Sequence, residues 1–433
     1  MIGAGTALLL VFAAGLVLGW PIAVALGLSG IVGIWMGLDV YALGTVGTNT
    51  YNAIAKYPLI AIPLFVLTGM IFERSGVAER LVRFASALVG PRRGGLALVA
   101  ILVCMIMGGM SGSGPADAAA VATVMVPSMM RAGYPKPFTA SVIAAAASTA
   151  ILIPPSIALI VYSIMVPGVD LRALFAGGLV PGLLAGLAVA MPSMYLSWRR
   201  GFGAAEAADR PPLLKSFREA LPGLLAPVII LGGLRTGLFT PTEAAAVAVA
   251  YGLLVGMVIY RSMSLRDLYS ALAESAETSA VIMIIISLAG IFAWAGSTLG
   301  AFDTAAGLLI GISDSPGVVL AMIMVLLLLA GMVLDGVTIY LVTLPLLLPL
   351  VTAFGWNVTW FGIVMAMNIA IGQFTPPVAV NLMVSSRVAG VPMESTFRWT
   401  LWMVASMIAA MVLVILFPQI ALWLPTALGY RAT

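Results

Sequence analysis

Residues 108–117 read Gly108-Gly109-Met110-Ser111-Gly112-Ser113-Gly114-Pro115-Ala116-Asp117, between two apolar stretches at 95–110 and 118–130. Glycine loses more backbone freedom on ordering than any other residue, so this run predicts a break in any helix that enters it. Neither flanking stretch reaches the ~20 apolar residues that a bilayer span needs. The expectation is a helical hairpin, about 95–131, with an irregular tip. In hydrocarbon each unpaired backbone group costs several kcal/mol, so such a tip must be packed in protein or line a wet cavity.

The rest of the chain supplies the membrane. Of 433 residues, 62% are hydrophobic and 8% charged, against roughly 25% charged in soluble proteins. This excludes a soluble enzyme, a disordered chain and a nucleic-acid-binding protein, and predicts an all-α polytopic membrane protein. There is no histidine, which removes Ser-His and Cys-His catalysis, histidine metal sites and histidine proton relays. The single Cys104 has no partner for an intrachain disulfide or for a zinc or iron–sulfur ligand set. No basic residue precedes the first apolar run, which argues for a retained first helix and against a cleaved signal peptide.

Residues 4–37 divide at Trp20-Pro21 into two spans, and a third lies near 58–72. Residues 138–166 form a helix broken at Pro154-Pro155, and 171–198 form another span. The hydrophilic stretch 199–219, with Arg199, Arg200, Arg210, Lys215 and Arg218, reads as a cytoplasmic linker. Spans near 220–238, 241–260 and 280–300 follow. After them come a second hairpin at about 317–352, a broken helix at about 357–384 and a last span at 399–424. Residues 76–90 and 264–278 read as amphipathic helices along the membrane. Trp198, Trp399, Trp402 and Trp423 read as interface anchors.

The two halves match in register. Gly109-Met110, Gly114, Pro127, Gly133, Pro154-Pro155 and Gly168 recur as Gly331-Met332, Gly336, Pro349, Gly355, Pro376-Pro377 and Gly390, each 222 residues on without a gap. Glycine and proline set backbone geometry, so the match points to a duplication of 1–198 as 220–433. The first hairpin's ends carry Arg92, Arg93, Arg131 and Lys136, while the second's carry only Asp314. The positive-inside rule puts the first base in the cytoplasm and the second outside. Each repeat then has about five crossings and one re-entrant hairpin. An odd number of crossings inverts the second copy and leaves both termini periplasmic. Inverted repeats with interrupted helices are a transporter signature, with the ligand site at their interface.

The candidate ligands lie at those interruptions. At the first tip, the backbone of Gly112 and Gly114 and the hydroxyls of Ser111 and Ser113 offer oxygens for a small cation. The helix that follows offers N–H groups and a positive dipole end for an anion. Asp117 is either a helix-start charge or part of the site. At the second tip Asp335 takes the place of Ser113, before Gly336 and Thr338. It can mark an ion path, cap the next helix, or do both. The double prolines Pro154-Pro155 and Pro376-Pro377 free carbonyls at membrane depth, and Ser156, Gln373, Thr375 and Asn381 add side-chain ligands. Thr240-Pro241-Thr242-Glu243 fits a capping box, with Arg235 as a partner for Glu243.

These motifs resemble a family. Gly109-Met110-Ser111-Gly112-Ser113-Gly114 before Asp117-Ala118-Ala119 is similar to the large membrane (M) subunit of tripartite ATP-independent periplasmic (TRAP) transporters. So are Val126-Pro127, Ala132-Gly133-Tyr134, Ile153-Pro154-Pro155-Ser156, Pro63-Leu64-Phe65 with Gly69, Phe239-Thr240-Pro241-Thr242-Glu243-Ala244 and Thr375-Pro376-Pro377. The resemblance covers nearly the whole chain. It implies a secondary transporter of the ion transporter superfamily in the bacterial inner membrane, not an enzyme. Such a protein moves a hairpin-bearing domain like an elevator and imports a small organic anion on a sodium gradient. A periplasmic substrate-binding protein and a small four-helix membrane subunit are the implied partners. Sodium, the one ion implied and no cofactor in the strict sense, falls by this resemblance at Ser111, Gly112, Ser113, Pro154 and Ser156 in one copy. In the other it falls at Asp335, Gly336, Thr338, Thr375 and Pro376. Side-chain oxygens of Ser111, Ser113, Ser156, Asp335, Thr338 and Thr375 are the expected ligands. Asp117 stands where the family often has a small polar or acidic residue.

Other classes stay open at this stage. A single-component carboxylate symporter of the same superfamily, sodium- or proton-coupled, shares the architecture. Gly109-Met110-Ser111-Gly112 also matches the Gly-x-Ser-Gly of intramembrane serine proteases, but these need a general base, and the lysines sit at boundaries. A channel is the third class. The shortage of titratable groups at the tips and their neutral oxygens favour sodium over protons.

Overall fold

The computed structural model describes residues 3–203 and 211–431. Among these the chain is helical and has no strand. Arg210 of the expected linker and the C-terminal end lie outside the described residues.

The first elements are α1 (Ala4–Val17), α2 (Ile22–Gly37), α3 (Thr45–Ile54), α4 (Ala61–Arg74) and α5 (Val77–Val89). The first hairpin is α6 (Gly95–Ser111) and α7 (Gly114–Arg131), and the first broken helix is α8 (Lys136–Ala147) and α9 (Ile157–Met165). There follow α10 (Leu171–Arg200), α11 (Leu213–Thr236), α12 (Pro241–Leu253), α13 (Leu265–Thr298) and α14 (Ala301–Ile310). The second hairpin is α15 (Pro316–Gly331) and α16 (Gly336–Ala353), and the second broken helix is α17 (Val358–Gly372) and α18 (Val380–Ala389). The chain ends in α19 (Phe397–Leu416) and α20 (Gln419–Ala427). Seven helical segments among the described residues are long and apolar enough to cross a membrane.

Four local readings change. Residues 264–278 are not a separate surface helix. Ser264 and Asp267 form a capping box, and α13 then runs 34 residues without interruption. No glycine or proline occurs before Gly290 to stop it. The connection 199–219 shortens, because α10 reaches Arg200 and α11 starts at Leu213 behind Pro212. The span at 399–424 is interrupted at Phe417-Pro418, since proline cannot continue the backbone hydrogen bonding. Trp399 is no interface anchor. It is 2% exposed and packs edge-on against Phe138 and Phe202. Trp198, Trp402 and Trp423 are exposed, as anchors should be. Helices α3 and α14 add two short elements to the expected spans.

One body gathers around α13, which packs on α2, α3, α4 and α14. Small residues make this close approach. A Cβ on Gly30 would lie 2.8 Å from Ile291 Cγ2, and one on Gly37 2.4 Å from Leu299 Cδ2. In membranes, where lipid is as apolar as leucine, such packing is what holds helices together.

The second body holds α6–α10 and α15–α20, and here the broken helices cross over. Helix α9 packs on α16 and α17, while α18 packs on α7 and α8. Each double proline thus sends its helix away from its own hairpin and onto the hairpin of the other half. The local backbone events recur at the 222-residue offset. Helices α7 and α16 start at Gly114 and Gly336, α8 and α17 at Lys136 and Val358. Gly133 and Gly355, and Gly168 and Gly390, have positive φ, and both Pro-Pro bonds are cis.

Candidate functional site

The crossing brings both tips and both breaks to one place. At the first tip the helix persists further than the glycines suggest. Helix α6 runs through Gly108–Ser111, and only Gly112 and Ser113 stand outside helices. The glycines serve close approach. A Cβ on Gly108 would lie 2.7 Å from Ala150 Cα. Gly112 has φ +60°, and a Cβ there would lie 2.6 Å from the Pro155 carbonyl oxygen. The tip therefore rests directly on the first break.

Asp117 is fully buried behind this tip. The Ser111 hydroxyl donates to its Oδ1 at 2.7 Å, and the Ser113 amide donates to the same hydroxyl at 3.1 Å. Asp117 Oδ2 has no partner among the described residues. The carboxylate is thus no exposed helix-start charge. Ser156 is buried and caps α9, accepting from Leu159 N at 3.4 Å.

The second tip is built differently. Asp335 caps α16, accepting from the amides of Val337 and Thr338 at 3.1 and 3.3 Å, while the Thr338 hydroxyl donates to its other oxygen. The Ala379 amide donates to the Met332 carbonyl at 2.9 Å, tying this tip to the second break. Thr375 donates its hydroxyl to Ile371 O at 2.6 Å.

Gln373 stands between the two equivalent glycines. Its Oε1 is 3.0 Å from where a Gly114 Cβ would be, and its Nε2 is 3.5 Å from the Gly336 equivalent. Asn381 lies beside Gly114 as well. Gln373 Oε1 and both polar atoms of Asn381 are buried without a hydrogen-bond partner. Buried amides are costly unless satisfied, so polar capacity is in reserve at this point.

A cleft of about 420 Å3 opens in front of the tips. Gly112, Ser113, Gly114, Asp335, Gly336, Thr338 and Gln373 line it. Ser111, Asp117, Pro154, Pro155, Ser156, Thr375 and Asn381 are buried instead, and together with half-buried Pro376 they do not line it. The facing wall was not foreseen. Val66, Gly69 and Met70 of α4 and Glu277, Thr278 and Ile285 of α13 form it. Reading 264–278 as a surface helix had placed Glu277 away from the site. An unbroken run without Gly or Pro was the signal for one long helix. Glu243 closes its capping box through the Thr240 amide and hydroxyl at 2.7 and 2.8 Å. It forms no ion pair with Arg235 among the described residues.

Residues 9–420 match the family model for the tripartite ATP-independent periplasmic transporter, DctM component. The chain belongs to this family.

It is 38% identical to the C4-dicarboxylate TRAP transporter large permease protein DctM of Pseudomonas aeruginosa, over 94% of each chain. It is 37% identical to the isethionate TRAP transporter permease protein DctMQ of Oleidesulfovibrio alaskensis, over 95% of this chain. The chain spans 65% of that relative's own length. Its fold is also similar to the Alcanivorax borkumensis YdaH transporter, with TM-score 0.63 and 14% identity over 95% of this chain and 98% of that one. As a TRAP large permease the chain is a multi-pass membrane transport protein and not an enzyme, which removes the protease reading. It is one component of a tripartite system for secondary transport of organic acids.

Proposed function

We propose that this TRAP large permease imports a small organic anion on a sodium gradient, with a periplasmic binding protein delivering it and a small membrane subunit alongside. The observation that carries this is the cleft between unlike tips. Helix α7 begins with no side-chain cap, so its N-terminal amides and dipole face an anion. Asp335, Ser113 and Thr338 face the same space with hard oxygens suited to sodium. Ser111, Ser156 and Thr375 and the carbonyls freed around Pro154 and Pro376 complete two ion sites. Gln373 and Asn381 lend their amides to either ligand. Carboxylates are the proposed substrate class, the C4-dicarboxylate relative being the basis for that choice.

The 222-residue correspondence supports two inverted repeats, 1–198 and 220–433, that move as an elevator. Both termini are then periplasmic, in a bacterial inner membrane. Arg261 precedes α13 and Arg266 lies in its first turn, and the middle of this helix, from Glu277 to Ile285, lines the cleft. The positive-inside rule then puts the start of α13 on the cytoplasmic side and the cleft near the middle of the membrane.

Uptake into proteoliposomes of chain plus small subunit tests this. Inward sodium should drive accumulation only with the binding protein present. Full-rate uptake of free substrate without it would favour a single-component symporter, and uptake driven by a pH gradient in sodium-free buffer would overturn sodium coupling.

A further inference from the structure

Away from the cleft, two arginines share one buried tryptophan. Arg200 ends α10 and Arg398 stands in the first turn of α19. Each guanidinium lies 4.7 Å from the centroid of the Trp399 ring. The two like charges are therefore no more than twice that distance apart, roughly a Debye length. Both are exposed, and neither forms an ion pair among the described residues. Arg199 adds a third cation, held by its hydrogen bond to the Tyr195 hydroxyl at 3.1 Å. Trp399 itself is fixed by Phe138 and Phe202, so the arginines rest on a rigid platform.

The surface leading away from this cluster is apolar. Leu183, Leu187, Met191 and Tyr195 stand exposed at four-residue intervals on α10, which puts them on one face. Trp402, Leu413 and Leu416 are exposed on α19. The two helices pack side by side, and the Tyr195 and Trp402 rings meet at 6.3 Å just below the arginines. Aromatic rings of this kind mark the headgroup level of a membrane. The arginines therefore sit where a phosphate lies, above two stripes where acyl chains lie. Planar guanidiniums pair with phosphate oxygens in two-pronged fashion, and basic pockets on the cytoplasmic side bind anionic headgroups.

We propose that Arg200 and Arg398, stacked on Trp399, form a binding site for an anionic phospholipid of the phosphatidylglycerol type in the cytoplasmic leaflet. The phosphate offsets part of the positive charge of the two guanidiniums, and the chains run along α10 and α19. The site belongs to the hairpin-bearing body, so the lipid is held by that body. It does not depend on which anion or ion the cleft carries.

Native mass spectrometry of the detergent-purified protein tests this, with phosphatidylglycerol and phosphatidylethanolamine of identical chains added in turn. The wild type should retain phosphatidylglycerol preferentially. R200Q/R398Q should lose that retention by roughly 30-fold, the contribution of two basic residues to an anionic headgroup, and bind phosphatidylethanolamine as before. R200K/R398K should keep the preference in weakened form. Undiminished phosphatidylglycerol retention by the glutamine pair would overturn the site. So would equal loss of both lipids, or displacement of phosphatidylglycerol by excess inorganic phosphate. Should the glutamine pair fail to fold, the wild type decides alone, since equal retention of the two lipids defeats the proposal.

Discussion

At the first tip α6 and α7 are separated by Gly112 and Ser113, whereas at the second residues 332–335 separate α15 from α16. The first tip keeps its carboxylate, Asp117, buried three residues inside the arm and leaves the helix end uncapped. The second sets its carboxylate, Asp335, on the cap itself and at the cleft. Equivalent backbone positions thus hold opposite electrostatics. An uncapped helix start attracts an anion, while a start already bonded to a carboxylate attracts a cation. The backbone events recur at one offset, and a few side chains make the two tips differ.

The largest effect should come from the backbone contact special to the first tip. Gly112→Ala demands a left-handed residue and a Cβ 2.6 Å from a carbonyl oxygen. Transport should fall by more than about tenfold, since each such strain costs of order 1–3 kcal/mol. Gly336→Ala meets nothing closer than Ile369 Cγ2 at 3.1 Å and should keep measurable uptake. Initial rates in proteoliposomes check the ranking, and the reverse order would break the comparison.

Next come the two cap positions. Asp335→Ala should cost about 1 kcal/mol of stability through the lost cap and raise the sodium concentration for half-maximal uptake. Ser113→Ala makes no cap bond to lose. It should weaken sodium-dependent uptake with little change in Tm. Unaltered sodium dependence in both variants would remove these residues from the ion sites.

The buried carboxylate gives a contrast in stability more than in transport. Asp117→Ala strands the Ser111 hydroxyl and should cost about 1–3 kcal/mol. Asp117→Asn keeps an acceptor for it and should stay near wild type in thermal stability. A sodium response in Asp117→Asn as poor as in Asp335→Ala would make the two carboxylates equivalent after all. The smallest effect belongs to the facing wall. Glu277→Gln removes an exposed negative charge from the cleft and should lower the apparent KM for an anion by a few-fold at low ionic strength. High salt should erase the difference. A KM that does not move would take Glu277 off the anion's path.

Much of this arrangement was legible before any coordinates. The glycine run and the double prolines located the hairpin tip and the breaks, because these residues change backbone geometry wherever they occur. The capping residues Thr240 and Glu243 declared their own contacts, being local. What failed was length and environment. The 34-residue α13 looks like two pieces in sequence because its polar first turns resemble a surface helix. Trp399 looks like a membrane anchor in sequence because a span-end tryptophan looks the same whether lipid or protein surrounds it. The helix through Gly108–Ser111 was missed because glycine's cost is offset by packing that a sequence does not display.

The sequence by itself determined that the chain is a polytopic helical membrane protein, where its helices break, and that key glycines and prolines recur 222 residues apart. These follow from composition and local backbone chemistry, which each residue carries with it. Only the tertiary structure decided that α9 and α18 exchange hairpins and that Gln373 stands between Gly114 and Gly336. It alone put Glu277 on the cleft and two arginines on one buried tryptophan. Those are meetings of residues far apart in the chain, and they depend on how helices pack in three dimensions.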